Sequence, residues 1–174
     1  MCIWRSFSPS KPNKKGMDKT MKPIASFTIN HDTLEPGMYI SRTDGDAVTY
    51  DLRFVRPNTP PFLENSAIHT IEHLFATYVR NSPYAGNILY FGPMGCRTGF
   101  YFLVRDTLSH SDAITLVYDA IRFIAGYSGD IPGVSSRECG NWREHNLSAA
   151  KNCAQSFVQV MDGWSCEMLK YTPE

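Results

Sequence analysis

Ile68-His69-Thr70-Ile71-Glu72-His73-Leu74-Phe75-Ala76-Thr77-Tyr78-Val79 repeats apolar residues at Ile68, Ile71, Leu74, Phe75, Tyr78 and Val79, the spacing of a single helix face. The stripe predicts an amphipathic helix that buries one side against a sheet. Off its centre lie His69, Glu72 and His73. Residues i and i+4 stack on one side of a helix, so the two imidazoles can present ring nitrogens to one ion with the Glu72 carboxylate beside it as a proton carrier. The chain has five histidines. Random placement gives about 0.006 expected matches to His-x-x-Glu-His, so the run reads as a metal motif. Pro57, Pro60 and Pro61 enforce an extended approach, and Asn65 or Ser66 is the expected helix cap.

Residues 47–55 place Val48, Tyr50, Leu52 and Phe54 on one face and Thr49, Asp51 and Arg53 on the other, which predicts a strand. A weaker alternation from Ile24 to Asn30 predicts another. Residues 87–91 and 99–105 read as two further strands flanking Gly92-Pro93-Met94-Gly95-Cys96, so Cys96 sits at a tight bend. Ser109 or Ser111 starts a helix through Ile114, Val117, Ile121 and Ile124 that ends at Gly126. A Gly/Pro-rich loop runs on to Arg137, and Leu147 to Met161 forms the last helix. Strands and helices without regular βαβ alternation predict an α+β fold, a mostly antiparallel sheet packed against helices in two layers.

With 174 residues and 43% hydrophobic composition, the length suits one domain, taken as residues 21–174. Residues 1–20, with Lys11, Lys14, Lys15 and Lys19, two prolines and no periodicity, read as a disordered lead-in, and Met21 is a candidate start. Seventeen basic residues balance seventeen acidic ones. That neutrality offers no global attraction to nucleic acid or an anionic membrane and suits a small neutral or zwitterionic substrate. No apolar run reaches the roughly 18 residues of a span, and no secretory leader is visible, so a cytoplasmic protein is expected. Five cysteines, an odd number at irregular spacing, favour metal binding, catalysis or burial over a disulfide framework.

Two histidines leave a divalent ion short of ligands. Spacing alone leaves the third open among Cys139, Cys96, His110, His145 and Glu144. A wider set of motifs narrows the choice: Ser26-Phe27 followed by His31, Tyr50-Asp51-Leu52-Arg53-Phe54, His69-Thr70-Ile71-Glu72-His73-Leu74, Pro93-Met94-Gly95-Cys96-Arg97-Thr98-Gly99, and Glu138-Cys139-Gly140-Asn141 with His145-Asn146-Leu147. In this order, over about residues 21–165, they resemble the LuxS-type S-ribosylhomocysteine lyases.

That resemblance implies iron(II), replaced by zinc or cobalt in many preparations, on His69, His73 and Cys139, with a fourth position left for substrate. It implies cleavage of S-ribosylhomocysteine to homocysteine and 4,5-dihydroxy-2,3-pentanedione, the precursor of autoinducer-2 in quorum sensing. Cys96 and Glu72 are then the proton carriers. A cation and the exposed amides of a tight turn favour the thiolate at Cys96. Ser26, His31, Arg53 and Arg80 match positions that hold the sugar and the amino acid end, with Arg53 suited to a two-pronged carboxylate contact. A homodimer with its clefts at the subunit interface is implied as well. Where some members carry an acidic residue three places before the proline of Pro-Met-Gly-Cys, this chain has Tyr90. Two other readings share the helix motif: an inverted zinc peptidase, which uses an acidic third ligand, and a structural metal module with four protein ligands.

Overall fold

β1 (Gly37–Asp44) and β2 (Ala47–Arg53) form one hairpin, and β3 (Ile88–Pro93) and β4 (Gly99–Arg105) a second, with helices α1 (Asn65–Arg80), α2 (His110–Gly126) and α3 (Leu147–Met161) around them. The computed structural model describes residues 29–171. The lead-in, Ser26 and residues 24–28 of the expected N-terminal strand lie outside the described residues. Residues 29–33 make a bend and a turn where that strand was expected to end. The sheet order is β1-β2-β4-β3, antiparallel throughout, so the fold is α+β as the sequence predicts.

Register explains the core. Tyr50 pairs with Ile40 on one side and Phe102 on the other, and Phe102 pairs with Phe91. Leu52 likewise lies between Met38 and Phe100. These cross-strand rows build one continuous apolar face, and the helices cover it. The α1 stripe buries Ile71, Leu74, Phe75 and Val79 almost completely, with Phe75 stacked on Phe91 at 3.9 Å between centroids. From α3, Phe157 stacks on Phe54 at 4.0 Å. Such aromatic pairs contribute about 0.5–1.5 kcal/mol beyond their area burial. Where β2 meets β4, a Cβ at position 99 would stand 2.1 Å from the Leu52 carbonyl, so only glycine permits this approach.

The opposite face of β2 is also buried: Thr49, Asp51 and Arg53 are 4%, 2% and 2% exposed. Asp51 has Tyr39 and Tyr101 as its cross-strand neighbours, and the C-terminal Tyr171 stacks on Tyr39 and donates its hydroxyl to Asp51 Oδ2 at 3.1 Å. Trp164 donates to the Met38 carbonyl and fills the space above Gly37. β1 was not anticipated from sequence, because Met38, Tyr39 and Ile40 carry no alternation and a register shift falls between Ile40 and Arg42.

Two of the three helices start on a side-chain cap, α2 on one of the two serines expected. Ser109 accepts from the Asp112 N–H and Asn146 from the Ala149 N–H. At α1 the expectation of Asn65 or Ser66 is corrected. Glu64 holds the cap position, without a side-chain bond, and Ile68 N–H closes the first turn on its carbonyl at 2.9 Å. Ser66 lies within that first turn, and its carbonyl receives the Thr70 hydroxyl and the Asn146 N–H.

Candidate metal centre

His69 and His73 lie one turn apart on α1, and each has its Nδ1 against a backbone carbonyl: Glu144 at 3.0 Å and Pro132 at 2.8 Å. A carbonyl only accepts, so each Nδ1 carries the ring proton and each Nε2 keeps a bare lone pair. Gly133, at φ +74°, adopts the left-handed backbone next to Pro132 and packs against His73, where a Cβ would meet Nδ1 at 3.3 Å. The loop between α2 and α3 thus orients one imidazole with Pro132 and the other with Glu144.

Cys139 comes from the same loop, its N–H donating to the Ser135 carbonyl, and its Sγ stands 3.3 Å from His69 Nε2. His69, His73, Cys139 and His145 each offer a ligand atom, all within 4.8 Å of one another. Two bare imidazole nitrogens with carbonyl-held N–H groups and a thiol fit a divalent ion of the iron, zinc or cobalt type. A cleft of about 510 Å³ opens on this cluster, lined by His69, Glu72, His73, Pro132, Phe91 and Cys139 among others. Glu72 is half-buried in its wall.

His145 precedes the α3 cap, and its ring packs on His69 at 4.0 Å and His73 at 4.8 Å between centroids. Its Nδ1 is 3.3 Å from Thr70 Oγ1, and its buried Nε2 has no hydrogen-bond partner among the described residues. Burial, followed by the neighbouring His69 and His73, pushes its pKa down to about 4, so the ring is neutral near pH 7. Of the other competitors for the third position, His110 bonds the Tyr50 hydroxyl at 2.6 Å and the Glu144 carboxylate bonds Asn141.

A second group surrounds Cys96. Arg53 Nε and Nη2 are held by Asp51 at 3.1 and 2.5 Å, while Nη1 donates to Thr98 Oγ1 at 2.5 Å and faces Cys96 Sγ at 3.9 Å. The Thr98 hydroxyl, which accepts from Arg53, also lies 3.0 Å from Cys96 Sγ, a contact in which either atom can donate. The Arg53 cation and the Thr98 hydroxyl therefore meet at a sulfur that is exposed at the β3–β4 turn. The guanidinium fork is engaged by Asp51, on its own strand. Burial holds the Asp51 carboxyl above its usual range, against the pull of Arg53 and Tyr171.

The remaining candidates lie apart. His31 Nδ1 donates to the Ile29 carbonyl at 2.8 Å. Arg80, exposed at the end of α1, reaches the Leu89 carbonyl at 3.3 Å. Tyr90 is 51% exposed and its hydroxyl lies over Gly92. Sequence reasoning missed Thr70 and Asp51. The available signals were a threonine between the two histidines of His-x-x-Glu-His and opposite charges two apart on one strand face.

An α+β domain that gathers two oriented imidazoles and a thiol over an open cleft defines a metal-binding protein with a small-molecule site. The chain belongs to the LuxS family: the family model described as S-Ribosylhomocysteinase (LuxS) matches residues 24–168. It is 44% identical over 156 residues to the S-ribosylhomocysteine lyase of Clostridium acetobutylicum, covering 87% of this chain and 99% of the relative. The same-named protein of Borreliella afzelii is 46% identical with the same coverage. That of Clostridium beijerinckii is 48% identical over 143 residues, 79% of this chain and 90% of the relative.

Proposed function

We propose that this chain is a metal-dependent S-ribosylhomocysteine lyase that releases homocysteine and 4,5-dihydroxy-2,3-pentanedione. The observation that carries it is the meeting of bare His69 and His73 Nε2 atoms with the Cys139 thiol in a cleft that Glu72 also lines. A thioether on an unactivated sugar is a poor leaving group. The carbonyl must move from C1 to C2 and then C3, which acidifies the proton next to the carbon bearing sulfur, and β-elimination follows. No water is consumed, and the departing sulfur takes up a proton as the free thiol.

When bound, a divalent ion, iron(II) with zinc or cobalt as substitutes, supplies Lewis-acid stabilisation of the charge developing on the sugar oxygens. Cys96 Sγ, faced by Arg53 and the Thr98 hydroxyl, moves protons between neighbouring carbons in the aldose–ketose steps. Glu72, beside the two histidines, serves the later transfers and the elimination. With two of its three nitrogens held by Asp51, Arg53 is better suited to support Cys96 than to clamp a carboxylate alone. Ser26, His31 and Arg80 stay assigned to the hydroxyls and amino acid end of the substrate.

Cys96 is not among the residues lining the cleft over the cluster. A homodimer whose two clefts lie at the interface, each lined by both chains, closes that space and excludes water. The domain spans residues 21–174 with the lead-in outside it. No helix among the described residues is long and apolar enough to cross a membrane, and a reducing cytosol suits the free thiols of Cys96 and Cys139.

The test is thiol release. Anaerobic protein loaded with iron(II) should liberate homocysteine thiol from S-ribosylhomocysteine, and Cys96→Ala or Glu72→Gln should abolish release with the metal still bound. Retained turnover in both variants refutes the roles given to those residues. The absence of release from the parent protein refutes the activity.

A further inference from the structure

After α3 the chain returns to the buried face of β2 and is fastened to β1 at two points. Trp164 donates its Nε1–H to the Met38 carbonyl at 3.1 Å and lies where a Cβ at position 37 would stand 2.3 Å from its ring, so only glycine admits it there. A short 3-10 turn, Cys166–Leu169, follows and buries Leu169. Tyr171 then stacks on Tyr39 at 5.0 Å between centroids, with the ring planes 18° apart. Tyr39 is the cross-strand partner of Asp51, so a ring laid on it brings its own hydroxyl to the Asp51 carboxylate. The Tyr39 hydroxyl cannot do the same, because it donates to the Glu35 carbonyl at 3.1 Å.

Among the described residues, Tyr171 is the one side chain besides Arg53 that donates to Asp51. Oδ2 accepts the Tyr171 hydroxyl at 3.1 Å and Arg53 Nη2 at 2.5 Å, while Oδ1 accepts Arg53 Nε at 3.1 Å. Burial, followed by the Asp51 charge, holds the Tyr171 hydroxyl well above the ordinary tyrosine range, so it remains a donor. A guanidinium is a rigid planar fork, and fixing Nε and Nη2 also fixes where Nη1 points. That nitrogen stands 2.5 Å from Thr98 Oγ1 and 3.9 Å from Cys96 Sγ. An unbroken run of contacts thus leads from the C-terminal segment to the sulfur.

We propose that Tyr171 is a further positioning residue for the reaction: its hydroxyl fixes the Asp51 carboxylate, Asp51 fixes the fork of Arg53, and Arg53 thereby keeps its charge against Cys96. The proposal rests on the lyase function given above for the role of Cys96. Without the hydroxyl, Oδ2 loses the bond that sets the plane of the carboxylate. The fork is then freer to turn, and the cation spends less time beside the sulfur. A cation next to a thiol favours the thiolate, the form that attacks electrophiles and accepts protons.

The experiment applies iodoacetamide at pH 7 to zinc-loaded full-length protein without substrate and follows modification of each cysteine by peptide mass spectrometry. Tyr171→Phe keeps the ring on Tyr39 and removes only the hydroxyl. It should slow modification of Cys96 by about threefold, the scale of coupling through a packed hydrogen-bond network. Cys166, exposed on the turn that leads to Tyr171, should react at the parent rate. In the background Asp51→Leu/Arg53→Met, adding Tyr171→Phe should change the Cys96 rate by less than about 1.5-fold, because the intermediaries are gone. Cys96 reacting at the parent rate in Tyr171→Phe overturns the proposal. So does equal slowing in the background that lacks the pair, or a changed rate at Cys166, because the C-terminal segment would then have moved as a whole. Failure of the lyase function itself reads out separately, as no thiol release from the iron-loaded parent.

Discussion

Replacing Asp51 by asparagine probes the buried pair that holds Arg53. The two side chains are 2% and 3% exposed, and Asp51 receives Nε and Nη2 of Arg53 together with the Tyr171 hydroxyl. An asparagine of the same shape offers one acceptor oxygen, and its amide N–H₂ is forced against an Arg53 donor. The guanidinium stays charged and buried without a counter-ion. Breaking a buried pair in this way costs about 3–5 kcal/mol. For a chain of this length that lowers Tm by about 8–16 °C. Urea unfolding of Asp51→Asn, with an unchanged m-value, should show the loss. The double variant Asp51→Leu/Arg53→Met removes both charges and should return to within about 2 kcal/mol of the parent. It should nonetheless release thiol far more slowly, because Cys96 loses its cation. A single variant within about 1 kcal/mol of the parent refutes the idea that Arg53 depends on Asp51 for its burial.

Phe157→Ala empties a fully buried site stacked on Phe54 at 4.0 Å and should cost about 3–5 kcal/mol in urea unfolding. Gly133→Ala puts a side chain on backbone at φ +74°, close to His73 Nδ1, and disturbs the Pro132 carbonyl that orients that ring. Chelator competition should show metal affinity reduced by about tenfold or more. Stripping the ion with a chelator should stop thiol release and added iron(II) restore it. In the cobalt-loaded protein the thiolate charge-transfer band should vanish in Cys139→Ser.

How much was legible in the sequence varies with the range of the interaction that matters. The α1 stripe, the α2 start to within the choice of Ser109 or Ser111, and both ends of α3 were readable because periodicity and capping act over three or four residues. Alternation in residues 47–55 located β2. β1 escaped because its first half is buried on both faces and its second half is exposed, so no alternation survives. The α1 cap was misplaced because Asn65 and Ser66 both have capping chemistry, and Ser66 instead receives Asn146 from another helix.

His-x-x-Glu-His, with helix geometry behind it, was enough to announce two imidazoles and a carboxylate on one turn. Family motifs then named Cys139 over its competitors. Neither source shows that Arg53 spends its fork on Asp51, that Thr70 meets His145, or that Pro132 and Glu144 lend carbonyls to His69 and His73. Those partners lie two residues away across a buried face, or about sixty to seventy-five residues away through a loop closure. A hydrogen bond depends on tenths of an ångström and on which nitrogen holds the proton. Local pattern places a residue on a helix or strand, but only the packed chain decides which lone pair is left bare.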